Sequence, residues 1–153
     1  MKTLRTATAV VAAVAAASAL AGVHAPTASA TGKIKFTKLY ADSPGSDYGS
    51  KKSLNAEYVV LHNGGHKKIK LGSYKIKDKQ GHKYSFPSWF TLKAGKSVKV
   101  HTGHGKNTAG NLYWNQGWYV WNNTTDTAYL VKSGKRLDSC TFPKKHTKPY
   151  VAC

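Results

Sequence analysis

A short alternation of apolar and polar residues is the feature of this sequence that most constrains its fold. Ile34 and Phe36 alternate with polar neighbours, and Tyr74 and Ile76 do so with lysines. A period of two places the apolar side chains on one face of a β-strand. Turns rich in Gly, Asn and Ser separate such segments, and no window of useful length has the period of a helix. The pattern predicts an all-β sandwich or barrel.

Individual elements follow from the same pattern. Residues 57–62 are apolar on both faces, which predicts a central strand. Ser133 and Gly134 predict the turn of a final hairpin. Residues 41–55 are polar and rich in Ser, Gly and Asp, and we expect a long loop there. The pattern assigns no strand register to the aromatic segment, residues 112–121.

Residues 1–30 predict a secretory signal peptide. Lys2 and Arg5 supply a positive start, residues 6–23 are uncharged and dominated by Ala and Val, and Ala28-Ser29-Ala30 is the expected cleavage site. Cleavage after Ala25 and a retained N-terminal anchor are the alternatives. Because no other segment is long and apolar enough to span a membrane, we expect a single secreted domain at residues 31–153, possessing no transmembrane span and located outside the cell or at its wall.

The charge balance predicts an anionic partner. The chain has 24 Lys and Arg residues against six Asp and Glu, a net charge of +18. Signal cleavage removes two basic residues and no acidic one, which leaves +16. Such a charge works against compaction and attracts polyanions. Lysines are scattered along the chain, so the charge does not say which anion binds, and solubility alone is the alternative explanation.

Cys140 and Cys153 are the only cysteines. In an exported chain they predict a disulfide. The closed loop of about a dozen residues would stabilise the fold by roughly 3 kcal/mol. We expect the bridge to pin the basic tail, residues 144–149, back onto the last strand.

Several sequence segments follow one another in a recognisable order. They are residues 57–63, 71–78, 84–87, 90–100, 112–114, 120–123 and 126–130. This order, covering roughly residues 34–142, resembles the lamin tail domain family, although Tyr74 stands where many relatives have Trp. The resemblance implies an immunoglobulin-like β-sandwich that serves as a binding or tethering unit for nucleic acid, proteins or envelopes. It supplies no catalytic motif that could be carried onto these positions.

The histidines do not predict a metal site. His62 and His66, like His101 and His104, have spacings that can bind metal. A gap of two residues on a strand, however, points His101 and His104 to opposite sides, and no third ligand lies near in sequence. We therefore expect no metal and no cofactor.

The few carboxylates do not predict catalysis either. Asp78 and Asp126 lie beside turns, where an Asp side chain ordinarily bonds to the backbone. Asp42 and Asp47 could supply oxygen ligands to calcium, but their loop lacks the dense pattern of an EF-hand. The chain has no nucleophile or zinc-protease signature, and we expect that it is not an enzyme.

Aromatic and basic residues together carry the functional prediction. Within the aromatic segment, we expect Trp114 and Trp121 to lie in the core, whereas Trp118 and Tyr119 are candidates for ligand contact. The candidate polyanion-binding residues are Lys67, Lys68, Lys75, Lys77 and Lys99. Because Arg136 is the only arginine after residue 30, binding should be non-specific.

The leading hypothesis is therefore a secreted, non-catalytic binding module for an anionic polymer, either wall polymer or extracellular nucleic acid. The alternative is a protein-binding or structural module that uses the aromatic segment and a free sheet edge. A metal-dependent hydrolase is the least favoured hypothesis.

Overall fold

A computed structural model describes residues 34–45 and 48–153 of the chain. The predicted signal peptide lies outside the described residues. The elements, in order, are β1 (Ile34–Tyr40), α1 (Lys51–Ala56), β2 (Tyr58–Asn63), β3 (Ile69–Lys70), β4 (Tyr74–Lys77), β5 (Lys83–Ser85), β6 (Thr91–Leu92), β7 (Ser97–His101), β8 (Asn111–Tyr113), β9 (Asp126–Lys132), β10 (Lys135–Phe142) and β11 (Tyr150–Ala152). Within these ranges, no helix has the length and apolar character needed to cross a membrane.

Two sheets form the sandwich. The larger has the strand order β11-β1-β2-β7-β8 and the smaller β10-β9-β4-β5, while β3 and β6 form a two-stranded ribbon. All neighbours are antiparallel except β7 and β8, which run parallel. This architecture confirms the predicted immunoglobulin-like β-sandwich.

The core lies between the two sheets and is built from alternate residues of their strands. Leu61 and Val98, on neighbouring strands of the larger sheet, are buried, as are Ile76 and Leu130 on neighbouring strands of the smaller one. Burying each such side chain contributes about 1.5–3 kcal/mol. The residues between them point away from the core and form the outer face of each sheet.

The final hairpin is confirmed. Ser133 and Gly134 connect β9 to β10, and both have positive φ, 49° and 77°. A two-residue hairpin turn whose twist matches that of the paired strands requires positive φ at both of its residues.

The prediction of a continuous loop over residues 41–55 is wrong at its C-terminal end, where α1 forms. The Ser50 hydroxyl caps this helix by accepting a hydrogen bond from the Ser53 backbone N–H at 3.2 Å. Ser53 and Leu54 are buried. A helix of six residues is too short to produce a recognisable apolar period, so the sequence pattern missed it.

The disulfide between Cys140 and Cys153 is confirmed, but its placement differs from the prediction. Beyond β10 the chain crosses to the other sheet, where Tyr150 in β11 pairs with Tyr40 in β1. The bridge therefore ties the two sheets together instead of pinning the tail onto β10. On the same side, Asp138 accepts a hydrogen bond from the Phe36 N–H at 2.7 Å.

Replacing both Cys140 and Cys153 by Ser should lower the free energy of unfolding by about 3 kcal/mol, because the loop is no longer closed in the unfolded chain. Urea denaturation measures this change. Wild-type protein under reducing agent should show the same loss. Unaltered stability in both samples would mean that β11 holds the chain end without the bridge.

Candidate functional site

The five predicted polyanion-binding lysines do not form one surface. Lys75 and Lys77 lie on the outer face of β4 in the smaller sheet. Lys99 lies on the outer face of β7 in the larger sheet, on the opposite side of the sandwich. Lys67 and Lys68 are exposed in the connection between β2 and β3. Only the first two are brought together on one strand face.

Around Lys75 and Lys77 the fold assembles a basic surface, which we call the basic face: Lys75, Lys77, Lys83 and Arg136. Lys77 lies directly opposite Lys83 in the sheet. Lys75 and Arg136 both lie opposite Val131, which is central to this face. An open depression of about 310 Å³ is lined by the three lysines and by the turn at Ser133 and Gly134. Three lysines thus line a shallow, accessible depression, and Arg136 lies across Val131 from Lys75.

The described carboxylates point elsewhere. Asp78 accepts hydrogen bonds from the Gly81 and His82 N–H groups at 2.7 Å, and Asp126 accepts one from Asn122 at 3.0 Å. These bonds confirm the predicted turn roles of Asp78 and Asp126. Among the described residues the only ion pairs within 4.0 Å are those of His82 with Asp78 and His146 with Asp42. The lysines of this part of the chain therefore have no carboxylate partner.

Trp114 and Trp121 are buried, which confirms the prediction that these two residues of the aromatic segment lie in the core. Trp118 has 62% of its surface exposed and packs one side of its ring on Gly49. The Tyr119 hydroxyl donates to the Ser53 hydroxyl at 2.7 Å. Trp118 is thus available for contact, whereas the polar end of Tyr119 is already engaged within the fold.

Two of the histidines considered as metal ligands, His62 and His101, make side-chain hydrogen bonds within the fold. His101 places Nδ1 at 2.7 Å from the Asn55 carbonyl and Nε2 at 2.9 Å from the Asn111 side-chain oxygen. His62 Nδ1 lies 3.0 Å from the Ser97 hydroxyl. Residues 34–45 and 48–153 contain no group of three or more His, Cys, Asp or Glu residues arranged around a possible metal ion. Asp47, considered as a calcium ligand, lies outside the described residues.

A second surface, missed in the sequence, crosses the outer face of the larger sheet. One aromatic ring from each of its five strands lies in a single line, which we call the aromatic row: Tyr150, Tyr40, Tyr58, His101 and Tyr113. Neighbouring ring centroids are 5.8, 5.3, 5.6 and 5.0 Å apart. All five rings are partly exposed. Each ring belongs to an outward-facing residue of a different strand, and only the strand order brings the five rings together.

Lysines accompany this row. The Lys38 ammonium lies 4.4 Å from the Tyr150 ring centroid, and the Lys99 ammonium lies 4.8 Å from that of Tyr58. Both distances are typical of cation–π contacts. Lys99, singled out in the sequence for its charge, therefore belongs to a different surface from Lys75 and Lys77.

Glu57 connects the larger sheet to the aromatic segment. Its fully buried carboxyl group accepts hydrogen bonds from the Val120 N–H at 3.0 Å and the Trp121 N–H at 2.9 Å. Burial raises the pKa of Glu57 from 4.5 to about 8, and the negative charge of Asp126 adds to this rise. The hydrogen bonds from the Val120 and Trp121 N–H groups oppose it without cancelling the effect of burial.

Stability should fall as the pH rises from about 5 to 8. Because the pKa of Glu57 is about 8 when folded and 4.5 without the fold, the folded state binds more protons in this window. The expected slope is up to about 1.4 kcal/mol per pH unit. Urea denaturation across pH measures it. Glu57→Gln should remove this contribution, whereas identical slopes in both proteins would assign the pH dependence to other groups.

Comparison with known proteins agrees with this architecture. The family model of the Lamin Tail Domain matches residues 27–144. No curated protein sequence matches the chain significantly. Lamin tail domains are immunoglobulin-like binding or structural modules and are not generally enzymatic. The matched residues include every strand from β1 to β10, and the chain belongs to the lamin tail domain family.

Proposed function

We propose that this protein is a secreted, non-catalytic binding module that holds anionic polymers through its lysine-rich surface. The observation that supports this most directly is the absence of carboxylate partners around the described lysines. The aspartates that could neutralise them instead accept backbone hydrogen bonds, as Asp78 and Asp138 do. The positive charge is left for an external partner.

The energetic argument is one of self-repulsion. A strongly positive surface destabilises the compact state, and the cost grows as lysines are placed side by side. Lys77 and Lys83 are nevertheless direct cross-strand neighbours, an arrangement that is unfavourable for like charges. A polyanion that neutralises both would relieve this repulsion on binding.

The chemistry of the basic face defines the class of ligand. Lysine ammonium groups act on phosphate or carboxylate as point charges, so they give affinity without sequence selectivity. Wall polymers and extracellular nucleic acid both offer such anions. Export to this location is consistent with the signal-like residues 1–30 and with the disulfide.

A protein-binding or structural role is the second candidate. It is favoured by two exposed tryptophans, Trp89 at 65% and Trp118 at 62%, because Trp is enriched at interfaces between proteins. Recovery of one stoichiometric partner from culture medium, with binding that salt leaves unchanged, would favour this role.

Binding of duplex DNA and of an anionic wall polymer should weaken steeply as salt increases, because each phosphate contact releases counterions. Replacing Lys75 and Lys77 by Gln should reduce the slope of log K against log salt by about 1.8 for DNA. Fluorescence anisotropy across a salt series measures both effects.

The matched control replaces Lys93 and Lys96 by Gln, which removes the same charge from exposed positions away from the basic face. Its slope should stay closer to that of the wild type. Lack of salt-dependent binding to any polyanion would refute the proposed function. Equal effects of the two variants would refute the basic face as its site.

A further inference from the structure

The aromatic row offers chemistry that the basic face lacks. Tyr40 lies at 27° to Tyr58 and at 26° to Tyr150, and the centroid distances of 5.3 and 5.8 Å describe offset stacking. Offset rings overlap only in part, and these three side chains are partly exposed. The row therefore presents aromatic surface to solvent across the width of the larger sheet.

The charge of this surface is positive. None of the five strands of the larger sheet contains Asp or Glu. Lys38 and Lys99 contact rings of the row, and Lys148 lies 5.9 Å from the Tyr150 ring centroid. Rings and cations thus share one outer face.

The two ends of the row differ. At one end, Gly105 lies so close to the Tyr113 ring that a Cβ atom at position 105 would collide with the ring. At the other end Tyr150 lies on the edge strand β11. An extended ligand can therefore leave the row past Tyr150 but is blocked beyond Tyr113.

We propose that the aromatic row binds single-stranded nucleic acid, with bases stacked on Tyr40, Tyr58 and Tyr150 and phosphates held by Lys38, Lys99 and Lys148. This inference rests on the proposed polyanion binding and adds to it the class of polymer and a second surface. Aromatic side chains interleaved with cations on an open surface are the arrangement by which proteins hold unpaired bases.

Charge and shape together select this ligand over others. A neutral glycan would make no use of the lysines. A phosphate polymer without rings would make no use of the tyrosines. Duplex DNA keeps the faces of its bases stacked inside the helix, out of reach of the row. A polyanion with unstacked flat rings engages both groups.

Cross-strand aromatic pairs also stabilise sheets, so the test must separate binding from folding. The first measurement uses the wild-type protein with labelled oligothymidylate and with an abasic strand of equal phosphate number. Oligothymidylate should bind about ten-fold more tightly or better, because stacking on aromatic side chains is available only to it. The His101 ring protons should shift in NMR spectra with oligothymidylate and not with the abasic strand.

The second measurement replaces Tyr40 and Tyr58 by Leu. Affinity for oligothymidylate should fall to that for the abasic strand, while abasic binding stays unchanged. Tyr48→Leu is the control, because Tyr48 is an exposed tyrosine, at 85%, that belongs to neither the aromatic row nor the basic face. Thermal melting establishes that each variant is folded.

The outcomes separate this inference from the proposed function. Salt-dependent binding of both strands with equal affinity in the wild type would overturn the inference and leave the proposed function standing. Lack of binding to either strand and to wall polymer would overturn both. A loss of oligothymidylate binding as large for Tyr48→Leu as for the row variant would also overturn the placement on the row.

Discussion

Carboxyl groups that accept hydrogen bonds from backbone N–H groups hold together the segments of this sandwich that lie outside the sheets. Glu57 directly precedes β2 and accepts hydrogen bonds from the N–H groups of Val120 and Trp121. These bonds hold an irregular stretch of chain over the core. Asp126 does the same for Asn122, and Asp138 joins β10 to Phe36 in the other sheet. Burial keeps Glu57 largely protonated at neutral pH, so the charge-assisted hydrogen bonds, which are the stronger kind, are those of the aspartates. The inward use of these side chains leaves the described lysines without a carboxylate partner.

The two outer faces of the sandwich consequently differ in character. The smaller sheet presents cations around Val131 and a shallow depression. The larger sheet presents a line of rings with lysines over them. Under our two proposals, the first face would bind any flexible polyanion, and the second would bind a polyanion that also carries flat rings. The domain would then offer one anion-binding surface on each outer face.

Local pattern predicted the elements whose signal is contained in a few neighbouring residues. The alternation around Ile76, the turn at Ser133 and the backbone-bonding roles of Asp78 and Asp126 are all confirmed, because each depends on contacts close in sequence or on one repeated period. The helix α1 was missed because its six residues are too short to show a period. The strand β11 was missed because Tyr150 acquires its partner, Tyr40, from the opposite end of the chain.

The sequence by itself determined the class of fold, the family, the pairing of Cys140 with Cys153 and the excess of positive charge, since alternation, segment order and composition are properties of the chain. Only the tertiary structure decided which charges and rings share a surface. Lys99 and Lys75 look equivalent along the chain, yet they lie on opposite sheets. Tyr40, Tyr58 and Tyr150 are distant along the chain, yet strand order and register place them side by side. The physical reason is that pairing between distant strands is set by the packing of the whole core, which no local stretch of sequence contains.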